Sequence, residues 1–330
     1  MAAISSRPLR TPSRGEPLGS LRLHGPIAAL GVAPTSSVHL GWLGWLADEA
    51  RVVAVKRLHP LHGADEVAVA RVVAEARRAR RVVHPNVVAM LGLVSRAEGL
   101  LAVMDQVPGA SLEELREASG GTLDPRAASA IFAGTLRGLH AAHEARGHGI
   151  LREVSARRVL IAEDGVARLL DFSAPLPSTP EAALAKLPYA APEQLLRQHL
   201  DARRDVYTAS VVLWETLTGR TLFRAASPAV TLRRILGETV PPPSLFAPGI
   251  DRALDAIVLR GLARDPAARF ASSEAMASEL ERAAGAGPSV SSAIGRTISG
   301  LACVARRRAA AESVRAAEER LCTSSAADGI

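Results

Sequence analysis

Arg152, Glu153 and Asp171 supply a guanidinium and two carboxylates within a span of twenty residues. They flank a hairpin-like stretch, ILREVSARRVLIAEDGVARLLDFS, residues 150–173. Two apolar runs within it, Val159–Ala162 and Val166–Leu170, bracket Glu163-Asp164-Gly165. Asp-Gly between apolar runs predicts a hairpin, because glycine takes positive φ at no steric cost. A hairpin returns the chain to its start, so Arg152 and Glu153, just before the first strand, fall near Asp171, just after the second. Two carboxylates and a guanidinium converging at a strand end can hold a cation or a phosphate group. The same residues on an ordinary surface hairpin are solvated charges.

Other residue types favour the phosphate reading. Moving a phosphoryl group from ATP to a hydroxyl needs one carboxylate to hold Mg²⁺ against the phosphates and another to orient the attacking hydroxyl. The stretch resembles the catalytic pattern of protein kinases, H-R-D-x-x-x-x-N followed by a hairpin and D-F-G. Leu151-Arg152-Glu153 stands for H-R-D, Arg158 stands where the pattern has Asn, and Asp171-Phe172-Ser173 stands for D-F-G. The resemblance implies Asp171 as the Mg²⁺ ligand and makes Glu153, Arg152 and Arg158 a degenerate catalytic set.

The elements that must position this hairpin continue the resemblance. Leu30–Leu43 reads LGVAPTSSVHLGWL. Aligned with the kinase glycine loop, G-x-G-x-x-G-x-V, it places Gly31, Ala33, Ser36 and Val38 at the pattern positions, and only the first glycine remains. Pro34 removes a backbone donor as well. Val53-Ala54-Val55-Lys56 resembles the V-A-I-K strand, whose lysine contacts phosphates. A helix is predicted over about 65–82, with Val69, Val72, Val73, Ala76, Ala79 and Val83 as its buried stripe. Glu75 beside that stripe is either a solvated glutamate or, as the resemblance implies, the ion-pair partner of Lys56. Strands follow over 87–94 and 100–104. The break at 105–109 resembles a hinge, with Met104 at the back of an adenine pocket, Val38 and Ala54 above it and Leu160 below. Plain core packing would account for the same apolar residues.

Beyond the break the pattern turns helical. Ser111-Leu112-Glu113-Glu114 is a capping box. Asp124-Pro125 starts a helix that runs to about Ala145, with an N-cap and a proline at its first position. Ala191-Pro192-Glu193 matches the kinase A-P-E, and the resemblance pairs Glu193 with Arg269. Asp205 opens an apolar helix ended by Gly219, either as a simple N-cap or as a brace for the catalytic loop. Helices are predicted over 228–237, 251–263 and 273–284. After a Gly/Ser-rich linker, Ile294, Ile298 and Leu301 suggest an amphipathic tail helix that packs on the domain, binds a partner or touches acidic lipid.

Bulk composition bounds these readings. With 330 residues and 48% of them hydrophobic, the chain can bury a large core. Net charge is +7, but the arginines are scattered and aromatics make only 3%, so base-stacking nucleic-acid recognition is not the expectation. Lys56 and Lys186 are the only lysines among 40 basic residues, which singles out Lys56 as a compact ammonium charge. Cys303 and Cys322 form no framework, so a reducing cytoplasm is the expected location. No apolar run reaches membrane-spanning length, and the first residues lack a signal-peptide core.

Together these features resemble bacterial Ser/Thr protein kinases of the eukaryotic type. The resemblance implies an α+β, two-lobed fold: a small antiparallel β-rich lobe with one main helix over 21–107 and a larger, mostly α-helical lobe over 108–283. A disordered lead-in over 1–20 and a linker and amphipathic tail over 284–330 complete the expected organisation. ATP and Mg²⁺ are the implied cofactors, bound weakly, and a protein is the implied substrate or partner; oligomeric state cannot be read. The departures at Glu153, Arg158, Ser173, Ala33 and Ser36 point to a pseudokinase. An active but slow kinase and an interaction module that binds no nucleotide are the alternatives.

Overall fold

The computed structural model describes residues 20–26, 32–33, 36–44, 50–58, 66–96, 99–145, 154–170, 180–285, 292–301 and 303. Six antiparallel strands make the small lobe: β1 (Ser20–Pro26), β2 (Val32–Ala33), β3 (Ser36–Gly44), β4 (Ala50–Leu58), β5 (Met90–Arg96) and β6 (Gly99–Asp105). Their spatial order is β1-β3-β4-β6-β5, with β2 paired to β3. Successive side chains alternate between the faces of a strand. Val53, Val55, Leu101 and Val103 therefore share one face and one apolar cluster. Ala102 and Met104 lie on the other face, and the register sets Ala54 opposite Met104 and Lys56 opposite Ala102. Lys56 thus shares its face with the residues that meet helix α1 (Glu66–Ala79), whose Val72, Ala76 and Ala79 pack with Met90, Ala102 and Met104.

The ends of the predicted α1 stripe differ from expectation. Val69 is 39% exposed and Val83 is 84% exposed. The helix stops at Ala79, ahead of His84-Pro85, so helical spacing no longer places Val83. Val82 is the residue buried there, at 3%. The first strand after it begins later than predicted, at Met90, because residues 86–88 are used in contacts with the large lobe; the second, Gly99–Asp105, extends one residue beyond the predicted range at each end.

The large lobe is built from α2 (Leu112–Ala118), α3 (Pro125–Ala145), α4 (Pro180–Lys186), α5 (Pro192–Leu195), α6 (Arg203–Thr218), α7 (Pro228–Gly237), α8 (Arg252–Gly261) and α9 (Ser273–Ala284). The capping box at Ser111 and Glu114 forms, and the Asp124 carboxylate accepts the N–H groups of Arg126 and Ala127 at 3.0 and 3.1 Å. Helices α3 and α6 carry Phe132, Leu136, Leu139, Tyr207, Val211 and Leu213 into one core. Helix α6 is buried on all sides, and its Ser210, Thr216 and Thr218 hydroxyls donate to carbonyls four residues back at 2.8, 2.7 and 2.9 Å. Those bonds satisfy polar groups that a dry interior would otherwise penalise.

A second sheet of three strands, β7 (Gly109–Ser111), β8 (Val159–Ala162) and β9 (Ala167–Leu169), sits at the junction of the lobes. Leu160 of β8 enters the same apolar cluster as Met104 and α1, so the lobes share a packed seam. The outcome is the two-lobed α+β architecture that the sequence predicts.

A further helix, α10 (residues 292–301), packs back on the large lobe rather than standing apart. Ile294 and Ile298 are 6% and 0% exposed. Gly295 lies against the hairpin turn so closely that a Cβ there would stand 2.6 Å from the Glu163 carbonyl oxygen, which only glycine avoids. No helix among the described residues is long and apolar enough to cross a membrane.

Candidate functional site

The hairpin forms as Asp-Gly predicts. Gly165 turns at φ 80°, the Asp164 carboxylate accepts the Val166 N–H at 2.8 Å, and β8 pairs antiparallel with β9. The first strand is the one predicted; the second is a residue shorter at each end. Strand β7 pairs along one side of it. The segment after His84-Pro85 supplies further bonds: Val88 N–H to Leu169 O at 2.9 Å, Leu169 N–H to Asn86 O at 2.8 Å, and Asn86 Nδ2 to Ala167 O at 2.8 Å. A hairpin pinned in this way can hold its flanking residues in place.

Its open end is closed by one pair. The Leu170 N–H donates to the Arg158 carbonyl at 2.8 Å, and the Arg158 guanidinium donates to the Leu170 carbonyl. Arg158 ends a 3-10 turn, Ala156–Arg158, directly before β8. Leu170 is the residue before Asp171 in the chain. Arg152, Glu153 and Asp171 themselves lie outside the described residues, as do Gly31, Leu151, Phe172 and Ser173.

The described part of the cleft collects several predicted residues. Ala54, Met104 and Leu160 are 7%, 3% and 9% exposed, with Ala54 opposite Met104 and Leu160 packed in the Met104 cluster. Val38 stands opposite Lys56 in the β3–β4 register. Lys56 is half-buried. Glu75 is 4% exposed, which removes the reading of a solvated glutamate, and Arg78 approaches it at 3.3 Å.

Below the hairpin the large lobe carries three buried polar contacts. Arg269 meets Glu193 through two bonds of 2.7 Å, as the sequence predicts, with both residues 2% exposed. Its other N–H bonds reach the carbonyls of Ala263, Arg203 and Arg264 at 2.7, 3.1 and 3.1 Å, so all five guanidinium donors are used. The guanidinium also lies 4.8 Å from the centre of the Tyr207 ring.

Asp205 is not the N-cap of α6: Ala202 holds that position, and Asp205 is inside the helix and 1% exposed. Its carboxylate meets His143 Nε2 at 2.9 Å and Arg204 at 3.0 Å. Burial decides its role, since a capping carboxylate faces the open end of its helix. His143 escaped sequence reasoning, although it falls on the α3 stripe with Leu136, Leu139 and Ala142. The third contact was also unpredicted: Tyr189 donates to Glu215 at 3.0 Å. Burial first, and the neighbouring carboxylate next, push the Tyr189 hydroxyl up; burial pushes Glu215 up against the bonds from Leu222 and Tyr189.

A small antiparallel sheet with one main helix, packed through a shared apolar seam on a larger helical lobe that carries a pinned hairpin, is the architecture of a protein kinase domain. The protein kinase domain family matches residues 34–280, and the chain belongs to that family. Among curated proteins it is similar to serine/threonine-protein kinase PknL of Mycobacterium tuberculosis, 33% identical over 239 residues, covering 70% of this chain and 59% of that protein. It is also similar to serine/threonine-protein kinase PknH of Mycobacterium bovis, 34% identical over 227 residues, covering 67% of this chain and 37% of that protein. The match thus spans little more than half of PknL and about a third of PknH.

Membership of the family implies ATP and Mg²⁺. The described residues that family membership would set around a nucleotide are near one another: Ala54 lies opposite Met104, Lys56 follows two residues along the same strand face, and Leu160 packs in the Met104 cluster. They do not fit two metal ions. Where the kinase pattern has an amide on the second ion, Arg158 presents a donor-only cation. A guanidinium has donors and no acceptor, so Arg158 cannot take the place of that amide as a metal ligand. Among the described residues, no group of three or more His, Cys, Asp or Glu side chains could hold a metal.

Proposed function

We propose that this protein takes ATP–Mg²⁺ weakly between its lobes and acts mainly by binding a protein partner, as a catalytically impaired relative of Ser/Thr kinases. The observation that carries this reading is Arg158, fastened to Leu170 at the hairpin mouth where the pattern needs a metal-holding amide. In this account Lys56 contacts the nucleotide phosphates and Glu75 steadies it. Ala54 and Val38 cover the adenine from above, Leu160 from below, and Met104 closes the back. Gly31 begins a phosphate cover that lacks its other glycines, and Asp171 holds one Mg²⁺. Glu153, beside Arg152, stands one methylene further out than the aspartate that orients a hydroxyl. A displacement of about 1 Å can cost roughly a hundredfold in rate.

A second reading, a slow but active Ser/Thr kinase, is favoured by the intact bracing of the large lobe through Glu193–Arg269 and His143–Asp205. Both readings share the nucleotide site. Calorimetry with ATP and Mg²⁺ tests it: the wild type gives measurable heat, and Lys56→Ala weakens binding by about tenfold or more, the worth of a charge-assisted bond. No heat and no melting shift at millimolar-scale ATP would overturn both.

A further inference from the structure

Helix α10 is anchored on two sides and leaves a hollow on a third. Ile294 and Ile298, a helical turn apart and so on one face, are buried in the large-lobe core, and Gly295 closely approaches the hairpin turn at Glu163. Ala293 and Thr297 share the adjoining face, and their short side chains do not fill the space between α10 and the α2–α3 corner. A cavity of about 410 Å³ remains there, inside the range of roughly 300–1,000 Å³ that small-molecule sites span. Its apolar walls are Leu115 of α2, Leu123, Ala127 and Ile131 at the start of α3, and Ala293 and Ile294 of α10.

The polar groups around this hollow are unequally committed. Asp124 serves α3: its carboxylate accepts the Arg126 and Ala127 N–H groups, so its charge is offset by the helix start that it caps. The Thr297 hydroxyl donates to the Ala293 carbonyl. The Arg126 guanidinium lines the cavity on its exposed side and makes no hydrogen bond or ion pair among the described residues. An apolar hollow with one unspent guanidinium at its edge matches a molecule with an apolar body and one anionic end.

We propose that this cavity binds a small aliphatic carboxylic acid, of about ten carbons, with its chain against Leu115, Leu123 and Ile131 and its carboxylate on Arg126. The bound acid bridges α10 to α2 and α3, and so holds the tail helix on the large lobe. The cavity shares no residue with the nucleotide site proposed above, and its occupancy does not depend on that site.

Calorimetry of the full chain with decanoate, at neutral pH and below its micelle concentration, tests this. A single saturable site is expected, weakened about tenfold in Arg126→Ala, the worth of a charge-assisted bond, and largely restored in Arg126→Lys. Decanol, which lacks the charge, should bind the wild type about as weakly as decanoate binds Arg126→Ala. Ala293→Trp, at an exposed position of α10, fills the hollow and should abolish binding. Bound decanoate should also slow amide exchange across residues 292–301. Absence of a saturable site in the wild type would overturn the proposal. So would decanoate binding that survives Ala293→Trp, which would put the molecule elsewhere. Decanol binding as tight as decanoate binding would overturn it too, by marking a hollow for any apolar side chain of a partner. Should Ala293→Trp not fold, Ala127→Leu narrows the same cavity from the large lobe: lost or weakened binding supports the proposal, and unchanged binding contradicts it.

Discussion

Arg269 and Arg158 place the same side chain in opposite circumstances. Arg269 is 2% exposed, meets Glu193 through two parallel bonds and spends its remaining donors on three carbonyls. Arg158 is half-buried at the mouth of the hairpin and is held to a backbone carbonyl. The first is a structural cation whose desolvation is offset by complete pairing. The second ties the turn before β8 to the end of β9 and is only partly withdrawn from water. The difference separates a cation buried for structure, inside the bracing below the hairpin, from one held at the open end of the hairpin.

Substitution separates the two. Arg269→Ala leaves Glu193 buried without its partner and should cost about 3–5 kcal/mol, read as a large fall in the denaturation midpoint. Arg158→Asn should cost only about 1 kcal/mol, since the Leu170 N–H bond to the backbone carbonyl survives and the replacement can still reach a carbonyl. Equal losses would erase the distinction between the two arginines.

A smaller effect sharpens the framework side. Burial raises the Glu215 carboxyl above the ordinary carboxylate range. A carboxyl raised on folding binds its proton more readily in the native state. Its contribution is full below the unfolded value and is lost as pH rises through the folded value, so stability falls with rising pH over that window. Glu215→Gln should flatten this part of the profile, read as the wild-type-minus-variant difference in midpoint from about pH 4 to about pH 7. An unchanged difference would mean that Glu215 does not titrate with folding.

Local signals made the hairpin legible: Asp164-Gly165 sets the turn, and the apolar runs beside it set the strands. Glu193–Arg269 was legible only through the family pattern, because 76 residues separate the partners. Periodicity misled at Val83, where the helix had already ended. Asp205 has the residue type of an N-cap, and only its tertiary contact with His143 shows that it is a buried hydrogen-bonding partner inside the helix. The tail offered three uses from its apolar spacing; its residues 292–301 pack on the large lobe, through a close approach to Glu163 that Gly295 allows and that no helical periodicity encodes, and the remainder of the tail beyond Cys303 lies outside the described residues.

The most direct test of the central claim, a kept framework with edited chemistry, is transfer of radiolabelled phosphate from ATP. The wild type, the double reversion Glu153→Asp with Arg158→Asn, and Asp171→Ala are compared side by side, each with generic Ser/Thr substrates and alone. Trace incorporation is expected from the wild type, little above Asp171→Ala, with a clear rise in the double reversion. Robust wild-type incorporation that Asp171→Ala abolishes would contradict that claim and establish an active kinase working through Glu153.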